Sequence, residues 1–138
     1  MKRIILGILA CLALFGCGDD KKQEKALLDS VIKIHDKVMM SDDKLMKNKM
    51  LIDTLLKTKL TGDTAAKKDT LVGFKVQLTN AEDAMEKWMQ TFNPETKGKS
   101  HQDIMNYFGE QKAQIMSIDS SINEAVGASG KYLKTIQQ

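Results

Sequence analysis

Few side chains in this 138-residue chain are suited to chemistry, and their spacing argues against it. His35 and His101 are the only histidines. They fall on different helical segments, with no His-x-x-x-His or Glu-x-x-His spacing, and metal sites usually need three or four convergent ligands. His35 reads as a partly buried residue at the edge of an apolar stripe, and His101 as a surface residue in a helix's first turn. Among the nine methionines, Met39, Met40, Met46 and Met50 cluster near His35. Thioethers suit Cu(I), but most of these positions lie on or near an apolar stripe, where methionine fills gaps. No Cys-x-x-Cys-His is present for a haem. Ser100, Ser117, Ser120 and Ser121 lack a Gly-x-Ser-x-Gly setting. The carboxylates sit among lysines, as solvated faces do, and no glycine-rich phosphate loop is present. The chain reads as non-catalytic, with no metal and no cofactor.

The two cysteines are more informative. Lys2 and Arg3 form a positive start, and Ile4 to Phe15 is apolar apart from Gly7. That run of about 12 residues is too short for a bilayer core that needs roughly 20. It suits the apolar region of a secretion signal. It ends in Leu14-Phe15-Gly16-Cys17, followed by Gly18-Asp19-Asp20-Lys21-Lys22. This resembles the lipobox of bacterial lipoproteins: an aliphatic residue, a tolerated residue, a small residue, then the cysteine. Phe15 departs from the usual small residue. The resemblance implies that Cys17 is diacylated, that cleavage precedes it, and that it becomes the first residue of the mature protein. The competing Cys11, behind Ile8-Leu9-Ala10, has a shorter apolar run before it and apolar residues after it. A mature chain with Cys17 alone can form no internal disulfide, and acylation accounts for a lone cysteine in an exported protein. Asp19-Asp20 also resemble the export signal that sends some lipoproteins of Gram-negative bacteria to the cell surface. The expected location is the cell envelope, lipid-anchored, with the outer membrane favoured and its face open.

Removing residues 1–16 takes Lys2 and Arg3 away. Nineteen lysines then face eighteen carboxylates, and no arginine remains. Nucleic-acid binders normally use arginine forks on a basic face, so no nucleic-acid partner is expected despite a pI near 8.8.

Three helical segments must position whatever function there is. From Lys25 to Leu60 there is neither Pro nor Gly, and Val31, Val38, Leu45 and Ile52 recur at seven-residue steps. Ile32, Met39 and Met46 form a neighbouring row. This predicts one amphipathic helix with a coiled-coil-like period, and Ser41-Asp42-Asp43 marks a possible kink and fresh cap. Thr61-Gly62-Asp63-Thr64 punctuates the chain. Leu71, Phe74, Leu78, Ala81, Met85, Trp88 and Phe92 then alternate spacings of three and four, the cleanest helical signal in the sequence. Asn93 to Lys99 holds the only Pro, and Ser100 with Asp103 suggests a capping box. The third helix follows Ile104, Phe108, Gln111, Ile115, Ile118, Ile122, Ala125, Ser129, Tyr132 and Ile136. Gly127 and Gly130 predict fraying near its end. Ser41-Asp42, Asn48 and Gln111 are polar residues near core positions, where such groups often fix register.

The expected fold is all-α: an elongated up-down-up three-helix bundle with coiled-coil-like packing, because short connections join antiparallel neighbours. The domain reading is a signal peptide at 1–16, an acylated cysteine and tether at 17–24, and the bundle at 25–138. The whole mature chain also resembles small helical lipoproteins sometimes labelled "viral A-type inclusion protein", through Ala26-Leu27-Leu28-Asp29-Ser30-Val31, Ala81-Glu82-Asp83-Ala84-Met85-Glu86-Lys87-Trp88-Met89 and Ser120-Ser121-Ile122-Asn123-Glu124-Ala125. That label implies coiled-coil content and no biochemistry. The functional expectation is a scaffold or protein-interaction module held to a membrane through Cys17. A carrier or chaperone-like binder of apolar ligands is the alternative. A monomer is expected, with weak dimerisation as the other possibility.

Overall fold

The computed structural model describes residues 17–58 and 64–136. The secretion signal read at 1–16 and the punctuation around Gly62 lie outside the described residues. The described residues form four helices and the links between them: α1 (Cys17–Met39), α2 (Asp42–Lys57), α3 (Thr64–Thr91) and α4 (His101–Ile136). No strand occurs among the described residues.

The first expected helix is therefore two. Ser41 keeps helical backbone angles (φ −91°, ψ −11°), but its side chain makes no cap hydrogen bond. Its amide donates to Val38 O at 2.9 Å, three residues back, where a continuing α-helix would reach four back. The ladder tightens for one step and restarts when Leu45 N–H donates to Ser41 O. The break does not disturb the core, because Val31, Val38, Leu45 and Ile52 are all at most 2% exposed. The seven-residue row carries through it. The adjacent row faces out instead, and Ile32, Met39 and Met46 are about two-fifths exposed.

The stretch read as a tether, 17–24, is helical and continuous with α1. No breaker interrupts it, Asp19 and Asp20 favour a helix N-terminus, and local pairs support it. Lys21 Nζ lies 3.0 Å from Glu24, and Lys25 Nζ 2.6 Å from Asp29. The fraying expected at Gly127 and Gly130 is also absent: α4 runs on to Ile136, with Ser129 and Leu133 buried.

The contacts between helices have a consistent order. Glu24 meets His101, Lys37 meets Asp119, and Asn48 meets Ser129, so numbers rise together along α1, α2 and α4. Along α3 they fall: Trp88 lies by His35, Glu82 by Lys49, and Lys75 by Asp53. The helices pack on one another over a core of Val31, Leu45, Ile52, Leu71, Leu78, Trp88, Ile115 and their neighbours. Trp88, in the middle of the three–four alternation, is 4% exposed and stacks on Phe92 at 4.7 Å.

The link from α3 to α4 is built of local turns. Asn93 Oδ1 accepts from Glu95 N–H, and the Tyr107 hydroxyl accepts from Asn93 N–H. Gly98 takes φ +78°, a left-handed value suited to glycine. The capping box is present in altered form. Ser100 Oγ accepts from Asp103 N–H at 3.2 Å and donates to Asp103 Oδ2 at 2.6 Å. A glutamate would reach back to the Ser100 amide; the shorter aspartate takes the hydroxyl.

Candidate functional site

Two places on the molecule gather the side chains that sequence analysis singled out. The first is the start of α1. Cys17 opens the helix. Two turns on, Glu24 is buried at 6% exposure although it is a glutamate on a polar segment. It is held by His101 across the helix interface, with Nδ1 3.0 Å from Glu24 Oε1, and by Lys21 on the same helix. The other ring nitrogen of His101 lies 3.8 Å from Asp20 Oδ1. The hydrogen bond with His101, and then that from Lys21, hold the Glu24 carboxyl below its ordinary value against the opposing effect of burial. His101 is thus not a plain surface residue. It fastens the first turn of α4 to the segment that follows Cys17. His35 matches its reading: it is half-buried, 3.0 Å from its neighbour Asp36, with its ring 5.9 Å from Trp88.

The second place lies at the α1–α2 break. Here α1, α2 and α3 leave a cleft of about 230 Å³ over Ile122 of α4. Met39, Met85 and Met89 line it, with Asp42, Glu82 and Glu86. Met85 is buried, whereas Met39 and Met89 are each 42% exposed. No basic residue is among the lining, although Lys49 pairs with Glu82. Met85 and Met89 are one helical turn apart and so share a face of α3.

The methionines read as gap fillers are not in the core. Met40 and Met50 are 74% and 66% exposed, and Met39 and Met46 lie with the exposed row. The methionines that line one cleft also differ from the group suggested by chain proximity. The cleft joins Met39 to two methionines of α3, not to Met40, Met46 and Met50. Only the i, i+4 spacing of Met85 and Met89 was visible in the sequence. Their meeting with Met39 depends on the register of two helices.

Of the serines considered for catalysis, Ser100 caps α4, Ser121 donates back to the Ser117 carbonyl, and Ser120 is exposed. Among the described residues no three of His, Cys, Asp and Glu come together as a metal site would require. Two of the polar residues near core positions, Asn48 and Gln111, fare differently. Asn48 Nδ2 donates to Ser129 Oγ at 2.9 Å and to Val126 O at 3.1 Å. Gln111 is buried with its Oε1 unpartnered, as is Trp88 Nε1. A long open groove of about 650 Å³ runs along α1 past Leu28, Ile32 and Met40, edged by Asp29, Lys33, Asp36 and Lys37. No helix among the described residues is long and apolar enough to cross a membrane. Compared with known proteins, the chain matches no family model, no curated protein and no solved structure.

Proposed function

We propose that this protein is a lipid-anchored helical bundle of the bacterial cell envelope that works by binding, as a scaffold or protein-interaction module, without catalysis. The observation that carries the reading is the Leu14-Phe15-Gly16-Cys17 box behind Lys2-Arg3 and a short apolar run. In this reading residues 1–16 are removed, the acylated Cys17 seats in the outer membrane, and α1 begins at the anchor. The helical continuity of α1 from Cys17 supports a short, stiff junction over a long flexible one.

The finer architecture we propose is an elongated up-down-up bundle in which α1 and α2 together form the first arm. The rising order of pairs with α4 and the falling order with α3 support it. At 1.5 Å per residue, α4 alone is about 54 Å long. An unidentified protein partner engages the faces of the first arm and of α4 that α3 leaves uncovered, and the chain is otherwise monomeric. The exposed Ile32, Met40, Met50 and Met116 support such a surface. A charge balance without arginine, once Arg3 is removed, speaks against a nucleic-acid partner.

A second reading, a carrier of apolar ligands, draws on the open groove beside Leu28, Ile32 and Met40. A carrier binds a hydrophobic dye saturably while folded; a scaffold instead co-purifies with a protein from detergent-solubilised membranes. The test of the anchor is fatty-acid labelling of wild type and Cys17→Ser. Wild type takes the label and partitions into detergent, while Cys17→Ser stays an unlabelled precursor. A labelled Cys17→Ser protein of normal mature mass overturns the proposal.

A further inference from the structure

We infer that the cleft at the α1–α2 break is a binding site for a soft monovalent cation, Cu(I) or Ag(I), held by the thioethers of Met39, Met85 and Met89. Three observations meet there. All three methionines line one cleft, although they come from helices far apart in sequence. Met39 and Met89 are about two-fifths exposed, so the cleft opens to solvent at these residues, while Met85 lies deeper. The remaining polar lining is Asp42, Glu82 and Glu86, all carboxylates.

The chemistry of that donor set is selective. Thioethers are soft, neutral ligands, which favour Cu(I) and its analogue Ag(I) and bind hard cations such as Mg²⁺ or Ca²⁺ poorly. Three neutral sulfurs leave the full positive charge of the ion in place. The carboxylates of Asp42 and Glu86 offset it, whereas Glu82 is already paired with Lys49. The break supplies the opening: Met39 closes α1, and Asp42 begins α2 with a single tightened step between them. Methionine carries no proton to displace, so the site should hold its ion as pH falls from neutral towards the carboxylate range, unlike a histidine or cysteine site.

The test titrates the full chain carrying Cys11→Ser and Cys17→Ser, which removes the two thiols that would otherwise take silver first, in detergent micelles with silver nitrate in chloride-free buffer and follows the methionine methyl resonances. The expected result is saturation at one Ag(I) per chain, with shifts confined to Met39, Met85 and Met89. Losing a supporting group outside the ligands already costs about 10–100-fold in metal affinity, so Met39→Leu and Met89→Leu should each weaken binding by roughly tenfold or more. Leucine keeps the side-chain volume, and far-UV circular dichroism verifies that each variant is helical. Met50→Leu and Met116→Leu, at exposed positions outside the cleft, should leave the affinity unchanged. Non-saturating shifts spread over Met40, Met50 and Met116, or Ag(I) affinity unaltered in folded Met39→Leu and Met89→Leu, would overturn the inference. So would a loss of affinity between neutral and mildly acidic pH of the size a histidine ligand gives.

Discussion

Asn48 and Ser129 set the register of α2 on α4, and a double-mutant cycle measures how strongly. Asn48 Nδ2 donates twice across the interface, at 2.9 Å to Ser129 Oγ and 3.1 Å to Val126 O. Ser129 is fully buried and its hydroxyl donates back to Ala125 O at 2.6 Å. A typical hydrogen bond of this kind contributes about 1 kcal/mol net. Asn48→Ala removes two of them, a loss of roughly 2 kcal/mol. Ser129→Ala also removes two, the bond from Asn48 and its own bond to Ala125 O, while Asn48 keeps Val126, so the loss is again roughly 2 kcal/mol. The Asn48–Ser129 bond is counted in both variants, and the double variant should therefore be more stable than additivity gives by about 1 kcal/mol. At this chain length 2 kcal/mol lowers Tm by roughly 8 °C. Urea and thermal unfolding by far-UV circular dichroism read all four corners of the cycle. A coupling of zero would mean that the two side chains do not meet and that α2 sits in another register. An apolar pair, Asn48→Leu with Ser129→Ala, should restore much of the stability, since removing both partners leaves no orphaned group.

Trp88→Ala should lower stability by about 3–5 kcal/mol through the cavity it leaves, and wild-type Trp88 fluorescence should be blue-shifted and poorly quenched; a red-shifted, fully quenchable signal would contradict the packing. Glu24 and Asp53 both have carboxyl values lowered in the folded chain, chiefly by hydrogen bonds from His101 and Lys75 respectively. Groups of this sign contribute stability above the ordinary carboxylate value that is lost as pH falls through the lower folded one. Tm should therefore fall on acidification below about pH 4, and His101→Ala should raise the Glu24 value measured by carboxyl NMR. An unmoved Glu24 would show that the ring is not its partner. Sedimentation of the chain at high micromolar concentration should show a monomer, whereas a dimer that survives nanomolar dilution would show that the bundle is completed by a second copy.

Much of the core was legible because spacing alone carries it. The seven-residue row through Ile52 and the three–four alternation through Trp88 each specify a helix and its buried face. What spacing does not give is the centre of a wide stripe. Ile32, Met39 and Met46 have the same period as the true core row, and only the positions of α3 and α4 leave them outside. The helical start at Cys17 was hidden for the opposite reason: a polar segment has no periodic apolar signal, and its helix rests on pairs such as Lys25–Asp29 and on Glu24 reaching His101. The continuity past Gly127 and Gly130 follows from Ser129 and Leu133 being buried, which outweighs a glycine cost of about 1 kcal/mol each. The methionine cleft and the Asn48–Ser129 pair needed two helices in register, information that a single chain's periodicity does not contain.

The most direct test of the lipid-anchored bundle is the intact mass of the mature N-terminus, taken from protein extracted from its native membrane. A lipid-anchored protein should begin at Cys17, with residues 1–16 absent and a diacylglyceryl group on the sulfur. A chain that retains residues 1–16, or that carries an unmodified Cys17 thiol, would contradict the anchor.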